Sequence, residues 1–423
     1  MTQKIPQPRS FPSSRTRYSF LLCALTCIAI FCFSNSLLAS SVKDLKSQQI
    51  SEILFNIKAY YVDDLSLTKG AQGAFNNQQV EILLDQLDPY SKYLNENDLD
   101  ALFNNTNGHY TGVGIEVKDI DSDITIVGVV KNSPAKEAGI LAGDIIVSVS
   151  VNDTNTQTRS LEQVAALIKD TRFNAVKLTI QRAGQQQPIS FAVNRKEINL
   201  ESATSQLLDS GTGYLAINNF SNHTLHEVAL QVAALKNDYR TPLKGLVIDL
   251  RDNPGGTLQS AVAVADLFLQ SGTIVTTKGR YYDANQAYYA KRGDILKGLP
   301  IVVLINENSA SAAEILAAAL KDNKRATVVG NQSYGKGSVQ SLIPLGDGNT
   351  ALKLTTAKYF TPAGVSIEGV GVTPDVAIAQ ATLPQSNKAV IIKNEQNKNA
   401  PQFEHEILGD LQLVKAKQLL SMQ

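Results

Sequence analysis

The stretch that most constrains this chain runs from Ile301 to Gln340. Ile301-Val302-Val303-Leu304-Ile305 is a short apolar run of β-type composition, and it stops at the polar turn Asn306-Glu307-Asn308. Ser309-Ala310-Ser311-Ala312-Ala313-Glu314 then opens an Ala/Leu-rich helix reaching about Leu320, and Thr327-Val328-Val329-Gly330 reads as the next strand. Buried strand, sharp corner, helix and strand in succession specify α/β architecture.

Ser311 falls at the corner. The first N–H groups of a helix have no intrahelical acceptor and the helix dipole is positive there, so a hydroxyl at this place stands beside ready-made oxyanion donors and fits a nucleophile. The plain alternative is that Ser309 or Ser311 only caps the helix, with Glu314 reaching back. Lys336 lies between Gly335 and Gly337, which permit close backbone approach and a crowded site that a surface lysine does not need.

The four histidines, His109, His223, His226 and His405, sit in polar, turn-like or terminal contexts, and none reads as a triad base. The remaining base for a serine is a lysine whose ammonium is disfavoured by burial, so Lys336 is the candidate and Gln340, four residues on, can bond and orient it. Gly330 to Lys336 also fits G-x-x-x-x-G-K. Gly337 stands where Ser or Thr should hold magnesium, and no Walker-type acidic strand follows, so the nucleotide-loop reading is disfavoured.

Other segments supply further parts. Gly245 to Leu250 reads as a buried strand, followed by Arg251-Asp252-Asn253-Pro254-Gly255-Gly256 and a helix from near Leu258, which puts glycine N–H groups at a strand's carboxyl end. Gly213–Ile217 reads as a strand, Leu225–Asn237 as a helix and Ala351–Pro362 as an extended strand. Gly112-Val113-Gly114-Ile115 is a glycine-spaced loop running into a strand, a pattern that exposes successive N–H groups to a terminal carboxylate. Val164 and Ile168, at helical spacing, would form the opposite wall of a groove in which Val113 and Ile115 also accept an apolar terminal side chain.

Ser-Ala-Ser-Ala-Ala-Glu, with Gly-Lys-Gly-Ser-Val-Gln placing Lys336 25 positions beyond Ser311, resembles the signature of the C-terminal processing peptidases, also called tail-specific proteases. Ser133-Pro134-Ala135, Ala138-Gly139-Ile140 and Gly143-Asp144-Ile145-Ile146 resemble the middle of a PDZ domain. The resemblance covers nearly the whole mature chain. It implies a Ser/Lys dyad of Ser311 and Lys336 supported by Gln340, and an oxyanion hole from the N–H of Gly255 or Gly256 together with that of Ala312. It implies no cofactor and no metal. Asp322 matches an acidic position of the family, its role open between pairing with a base and capping. Two residues depart from the family pattern: Tyr90 where His is frequent and Val365 where Arg is common.

Lys4, Arg9, Arg15 and Arg17 precede an apolar run from Phe20 to Phe33 and then Ser34 to Ala39, which reads as a secretory signal peptide; an uncleaved anchor over residues 20–38 is the alternative. All three cysteines, Cys23, Cys27 and Cys32, lie in that run, so the mature chain would carry neither a disulfide nor a Cys-based metal site. Removing those four bases leaves 35 against 39 acids, a balance that does not suggest a nucleic-acid surface.

The expected architecture is an α/β multidomain protein: signal peptide 1–39, N-terminal helical region 40–106, PDZ domain 107–195, crotonase-like α/β protease core 196–382, and a flexible connection with a C-terminal helix over 383–423. The expected activity is a periplasmic serine endopeptidase acting on proteins with apolar C-terminal tails, with an adaptor protein as a possible partner and membrane contact only through the N-terminal segment if it is uncleaved. A catalytically silent PDZ scaffold is the rival reading.

Overall fold

The structure is a computed structural model and describes residues 45–65, 76–151, 154–157, 160–169, 174–208, 211–237, 242–291, 293–379 and 410–422. The expected signal peptide and the connection Pro384–Pro401 lie outside them. No helix among the described residues is long and apolar enough to cross a membrane.

A six-stranded sheet forms the centre of the molecule, in the order Ala203–Leu207, Thr212–Ile217, Gly245–Asp249, Ile301–Ile305, Ala326–Gly330 and Val376–Ala377. The first pair is antiparallel and the rest are parallel. Period-two alternation distributes the strand side chains between two cores. Leu246, Ile248, Ile301, Val303 and Ile305 pack with the helices Thr224–Lys236, Leu258–Phe268 and Ala312–Asp322. Val247, Val302, Leu304 and Val329 pack instead with Leu413, Ala416 and Leu420 of the C-terminal helix Leu411–Ser421. Strands buried on both faces read as unbroken apolar runs, which is what Ile301–Ile305 is.

A second, antiparallel sheet is built on the ten-residue strand Ala351–Phe360. Ser338–Pro344 pairs with it along most of its length, and Thr273–Lys278 joins at its carboxyl end. Lys92–Leu94 pairs at its start, so the N-terminal region is not purely helical: it lends this sheet a strand. Helices Ser47–Tyr60 and Asn77–Leu87 pack through Ile53, Ile57 and Leu84 against Leu352 and Leu354 of the long strand.

Strands Ile115–Ile120, Asp123–Val129, Ile145–Val151, Ala175–Gln181 and Ile189–Asn194 form a third sheet, antiparallel throughout, with its own core of Ile126, Ile140, Leu178 and Ile180 among others. Ile115–Ile120 is an edge strand, and the helix Leu161–Lys169 packs beside it. The segments leading into and out of this body, His109–Gly112 and Lys196–Asn199, pair with each other as a two-stranded ribbon.

Candidate active site

Ser311 is the residue before helix Ala312–Asp322, at φ 55° and ψ −112°. A non-glycine residue in that region is strained, and the strain is held by the loops around it. Asn306 Oδ1 accepts the Asp252 N–H at 2.9 Å, and the Asn253 carbonyl accepts the Ala310 N–H at 2.9 Å. The loop after strand Gly245–Asp249 is thus laced to the corner after Ile301–Ile305.

The two serines at the corner have separate roles. Ser309 Oγ donates to the Leu250 carbonyl at 2.8 Å and accepts the Asn306 N–H at 2.9 Å, so it is a buried strut. Ser311 Oγ is fully buried and has no hydrogen-bond partner. The capping box is made only in one direction. Glu314 Oε2 accepts the Ser311 N–H at 2.6 Å, while the Ser311 hydroxyl caps nothing.

Glu314 does more than reach back to the cap. Its carboxylate also accepts from Ser333 Oγ at 2.6 Å, the Gly335 N–H at 2.7 Å and the Lys336 N–H at 2.9 Å. Burial pushes its pKa up, and these donated hydrogen bonds oppose the rise without cancelling it. The sequence signal for Glu314 was a capping box. Its hold on the loop of Lys336 comes from residues brought together only by the fold.

Lys336 is also fully buried, with its ammonium 4.5 Å from the centroid of the Tyr90 ring. Gly337 is needed there, since a Cβ at that position would lie 2.2 Å from the Glu368 nitrogen. The expected bond from Gln340 to Lys336 is not present. Gln340 Nε2 donates to Ser338 Oγ at 3.0 Å and Thr355 Oγ1 at 3.2 Å, and its Oε1 is buried without a partner. Ser311, Lys336 and Gln340 are therefore gathered in one buried region but not joined by hydrogen bonds through Ser311 Oγ or Gln340 Oε1.

Gly255 and Gly256 have φ of 105° and 147°; Gly255 presses against the corner and Gly256 against Phe220. A Cβ on Gly255 would lie 2.9 Å from Ser311 Cβ and 3.0 Å from the Ala312 nitrogen; one on Gly256 would lie 2.1 Å from the Phe220 carbonyl oxygen. The Gly255 N–H is already taken by Asn253 Oδ1 at 2.8 Å. Asn253, which also donates to the Ile217 carbonyl at 2.7 Å, is a fully buried positioning residue that the motif alone did not single out. Asp322 accepts the Ala363 N–H at 3.0 Å and so fastens the turn that carries Val365.

In the third body, Gly112 is the last residue of the linking ribbon, and Gly114, at φ 85°, leaves no room for a Cβ against Ser133. Val113, Val164 and Ile168 are buried together in the core of this body, and Ile115 at the edge strand is only partly covered. The Gly114 carbonyl accepts the Val130 N–H at 3.0 Å and the Val113 carbonyl the Ala135 N–H at 2.9 Å. Asp144 is clamped by Arg182 through two bonds of 2.7 Å.

Residues 211–378 match the peptidase family S41 and residues 125–182 match the PDZ domain. The carboxy-terminal-processing protease of Bartonella bacilliformis is 38% identical over 341 residues, covering 80% of this chain and 76% of that protein. The carboxy-terminal processing protease CtpB of Bacillus subtilis is 34% identical, over 81% of this chain and 70% of its own. Among solved structures, the photosystem II D1 C-terminal processing protease superimposes with a TM-score of 0.53 at 28% identity, covering 79% of this chain and 94% of its own. A putative S41 protease from Bacteroides fragilis, 17% identical with a TM-score of 0.55 over 88% of this chain and 97% of its own, shares the fold.

Proposed function

The chain belongs to peptidase family S41 and is a carboxy-terminal processing serine protease, and from that premise we propose that Ser311 is its nucleophile and Lys336 its general base. The observation that carries this reading is the buried, strained corner at Ser311, whose hydroxyl caps nothing while Glu314 binds its main chain and that of Lys336 together. A serine serving only as a helix cap would spend its oxygen on the third helical N–H. The rival reading of a silent PDZ scaffold is not favoured.

In the reaction, Ser311 Oγ attacks the scissile carbonyl and its proton passes to the neutral amine of Lys336. The oxyanion is received by the N–H groups of Ala312 and Gly256, because the Gly255 N–H is held by Asn253. The resulting ammonium protonates the leaving amine, and water resolves the acyl-enzyme with Lys336 again as base. Gln340 would orient the amine once Lys336 is turned toward Ser311.

The substrates in this reading are proteins with apolar C-terminal tails, held by the loop Gly112-Val113-Gly114-Ile115 and by Val164 and Ile168, with an adaptor protein a possible further partner. The domain limits follow as 40–106, 107–195, 196–382 and 383–423. The bases and apolar run before Ala39 support export to the periplasm with the mature chain starting at Ser40, which N-terminal sequencing of the secreted protein would check. The activity test is incubation of a tagged protein carrying an apolar tail with wild type and with Ser311→Ala. Wild type should yield fragments by mass spectrometry and the variant none; undiminished cleavage by Ser311→Ala would sink the assignment.

A further inference from the structure

We propose that Tyr90 is a positioning residue for the general base: its ring holds the ammonium of Lys336 away from Ser311, and acylation requires that contact to be given up. The inference rests on the reading of Lys336 as base. Three observations meet here. The ammonium lies 4.5 Å from the centroid of the Tyr90 ring, inside the range over which a cation and an aromatic face attract each other. Ser311 Oγ is buried without a hydrogen-bond partner, and so is Gln340 Oε1, so the two groups that should flank a working lysine are both left waiting.

The turn that carries the ring is held firmly in place. Asp88 accepts the main-chain N–H groups of Tyr90 and Ser91 at 2.8 and 2.9 Å, and its Oδ1 takes the Thr355 hydroxyl at 3.0 Å. Thr355 Oγ1 in turn accepts from Gln340 Nε2 at 3.2 Å. The turn that presents Tyr90 is thus fixed to the same strand pair that carries Gln340, although it belongs to the N-terminal region. Meanwhile the main chains of Ser311 and Lys336 are tied to one oxygen of Glu314. With both backbones fixed, the lysine stem reaches Ser311 by rotating its own four torsions, and the loops stay where they are. The ring contact opposes that rotation, and it attracts the charged amine, which is the form that cannot accept the serine proton.

The test uses the full chain and a small fluorophosphonate, which reads acylation of Ser311 without peptide capture: the Oγ–P bond forms, fluoride leaves and the hydroxyl proton passes to Lys336. Tyr90→Phe keeps the π face and should label within about twofold of wild type. Replacing that Phe by mono-, di- and trifluorinated phenylalanine weakens the face at nearly constant shape, and the labelling rate should climb at each step. Tyr90→Leu should label about 2- to 30-fold faster, the rate equivalent of a cation–π contact of about 0.5–2 kcal/mol, while the melting temperature falls by no more than a few degrees, since the same contact stabilises the resting fold. A flat fluorination series overturns the proposal, and it decides the matter even if Tyr90→Leu fails to fold. Lys336→Ala separates the two levels. If it labels as fast as wild type, the base assignment fails and takes this inference with it; if it is silent while the fluorinated series is flat, the role of Tyr90 alone is wrong.

Discussion

Ser311 and Lys336, 25 positions apart, donate their main-chain N–H groups to the same oxygen, Oε2 of Glu314, at 2.6 and 2.9 Å. The residues proposed as nucleophile and base are therefore spaced by a carboxylate that sits behind both of them. A dyad whose members stand on separate loops needs such a tie, because a displacement of about 1 Å can cost about 100-fold in rate.

Glu314→Gln should test the tie. The amide has nearly the same shape but turns an NH2 toward groups that are all donors, namely the N–H of Ser311, Gly335 and Lys336 and the Ser333 hydroxyl. The expected result is a fall in kcat of about 100-fold or more with KM little changed, and a stability loss of about 1–3 kcal/mol. Steady-state kinetics and a denaturant titration measure both, and a variant with wild-type kcat would remove the positioning role.

Lys336→Arg should abolish turnover with the fold intact, since a guanidinium does not deprotonate near neutral pH and cannot take the serine proton. Lys336→Ala should do the same. Fragment yield from a tailed substrate, alongside circular dichroism to verify folding, checks this, and near wild-type cleavage by the Arg variant contradicts the dyad.

Much of this site is legible in the sequence because its parts are local. The Ser311 corner follows from an apolar run meeting an Ala-rich helix, and the crowding at Lys336 follows from its flanking glycines. The inner strands of the central sheet, Gly245–Asp249 and Ile301–Ile305, are legible for the same reason, being mostly apolar runs, whereas the flanking Ala203–Leu207, interrupted by Thr204, Ser205 and Gln206, and the two-residue Val376–Ala377 are not. What escapes is set by contacts between distant segments. Glu314 reads as a cap until residues 333–336 fold over it, and Tyr90 reads as part of a helix-breaking turn until Thr355 draws that turn to the long strand. The strand Lys92–Leu94 is too short and too mixed to announce itself; it exists because Ala351–Phe360 offers a free edge there.

Peptide capture should depend on the free C-terminus. The Gly112–Ile115 loop leads into the edge strand Ile115–Ile120, so its N–H groups can hold a carboxylate while a peptide lies along that edge. Amidating an apolar tail should cost about 1.5–3 kcal/mol, or tenfold or more in affinity for the full-length Ser311→Ala protein. A last-residue Asp should be worse, as it brings a second, unpaired charge to a site proposed to take an apolar side chain. Calorimetry that finds amidated and free-acid tails equal would rule out this mode of capture.

Acid should loosen the PDZ body through Asp144. Burial raises its carboxyl pKa, but the Arg182 hydrogen bonds and charge and the Leu141 N–H outweigh burial and leave it below the usual value. A carboxylate with a depressed folded pKa contributes stability that is present above its unfolded pKa, about 3.9, and is lost as pH falls through the folded one. Hydrogen-exchange protection over residues 125–182, taken relative to the unstructured chain at each pH, should therefore fall below about pH 4 in wild type. Arg182→Met leaves Asp144 buried with only the Leu141 N–H, so it should cost about 1–3 kcal/mol at pH 7 and flatten this acid dependence. Unchanged exchange in Arg182→Met at pH 7 would show that the pair adds nothing to the fold.

The C-terminal helix should be required for a stable core. Arg251, which follows the strand Gly245–Asp249 at the edge of the active-site loop, bonds Asp249 at 2.6 Å and also Asp410 at 2.8 Å and Gln412 at 3.2 Å. Gln412 in turn donates to the Ile378 carbonyl at 2.8 Å. Removing residues 410–423 would strip two of Arg251's partners and uncover Val247, Val302, Leu304 and Val329 on one face of the sheet. Uncovering such a face costs about 1.5–3 kcal/mol for each large side chain that loses its burial, which for Leu413 and Leu420 together is a large part of a domain's stability. The truncated protein should aggregate or melt well below wild type. Arg251→Lys separates the two contributions: it keeps the charge and the apolar cover but loses the forked geometry, so it should lower activity more than the melting temperature. If the truncated chain melts at the wild-type temperature, the helix is an appendage and the clamp on Arg251 has no structural role.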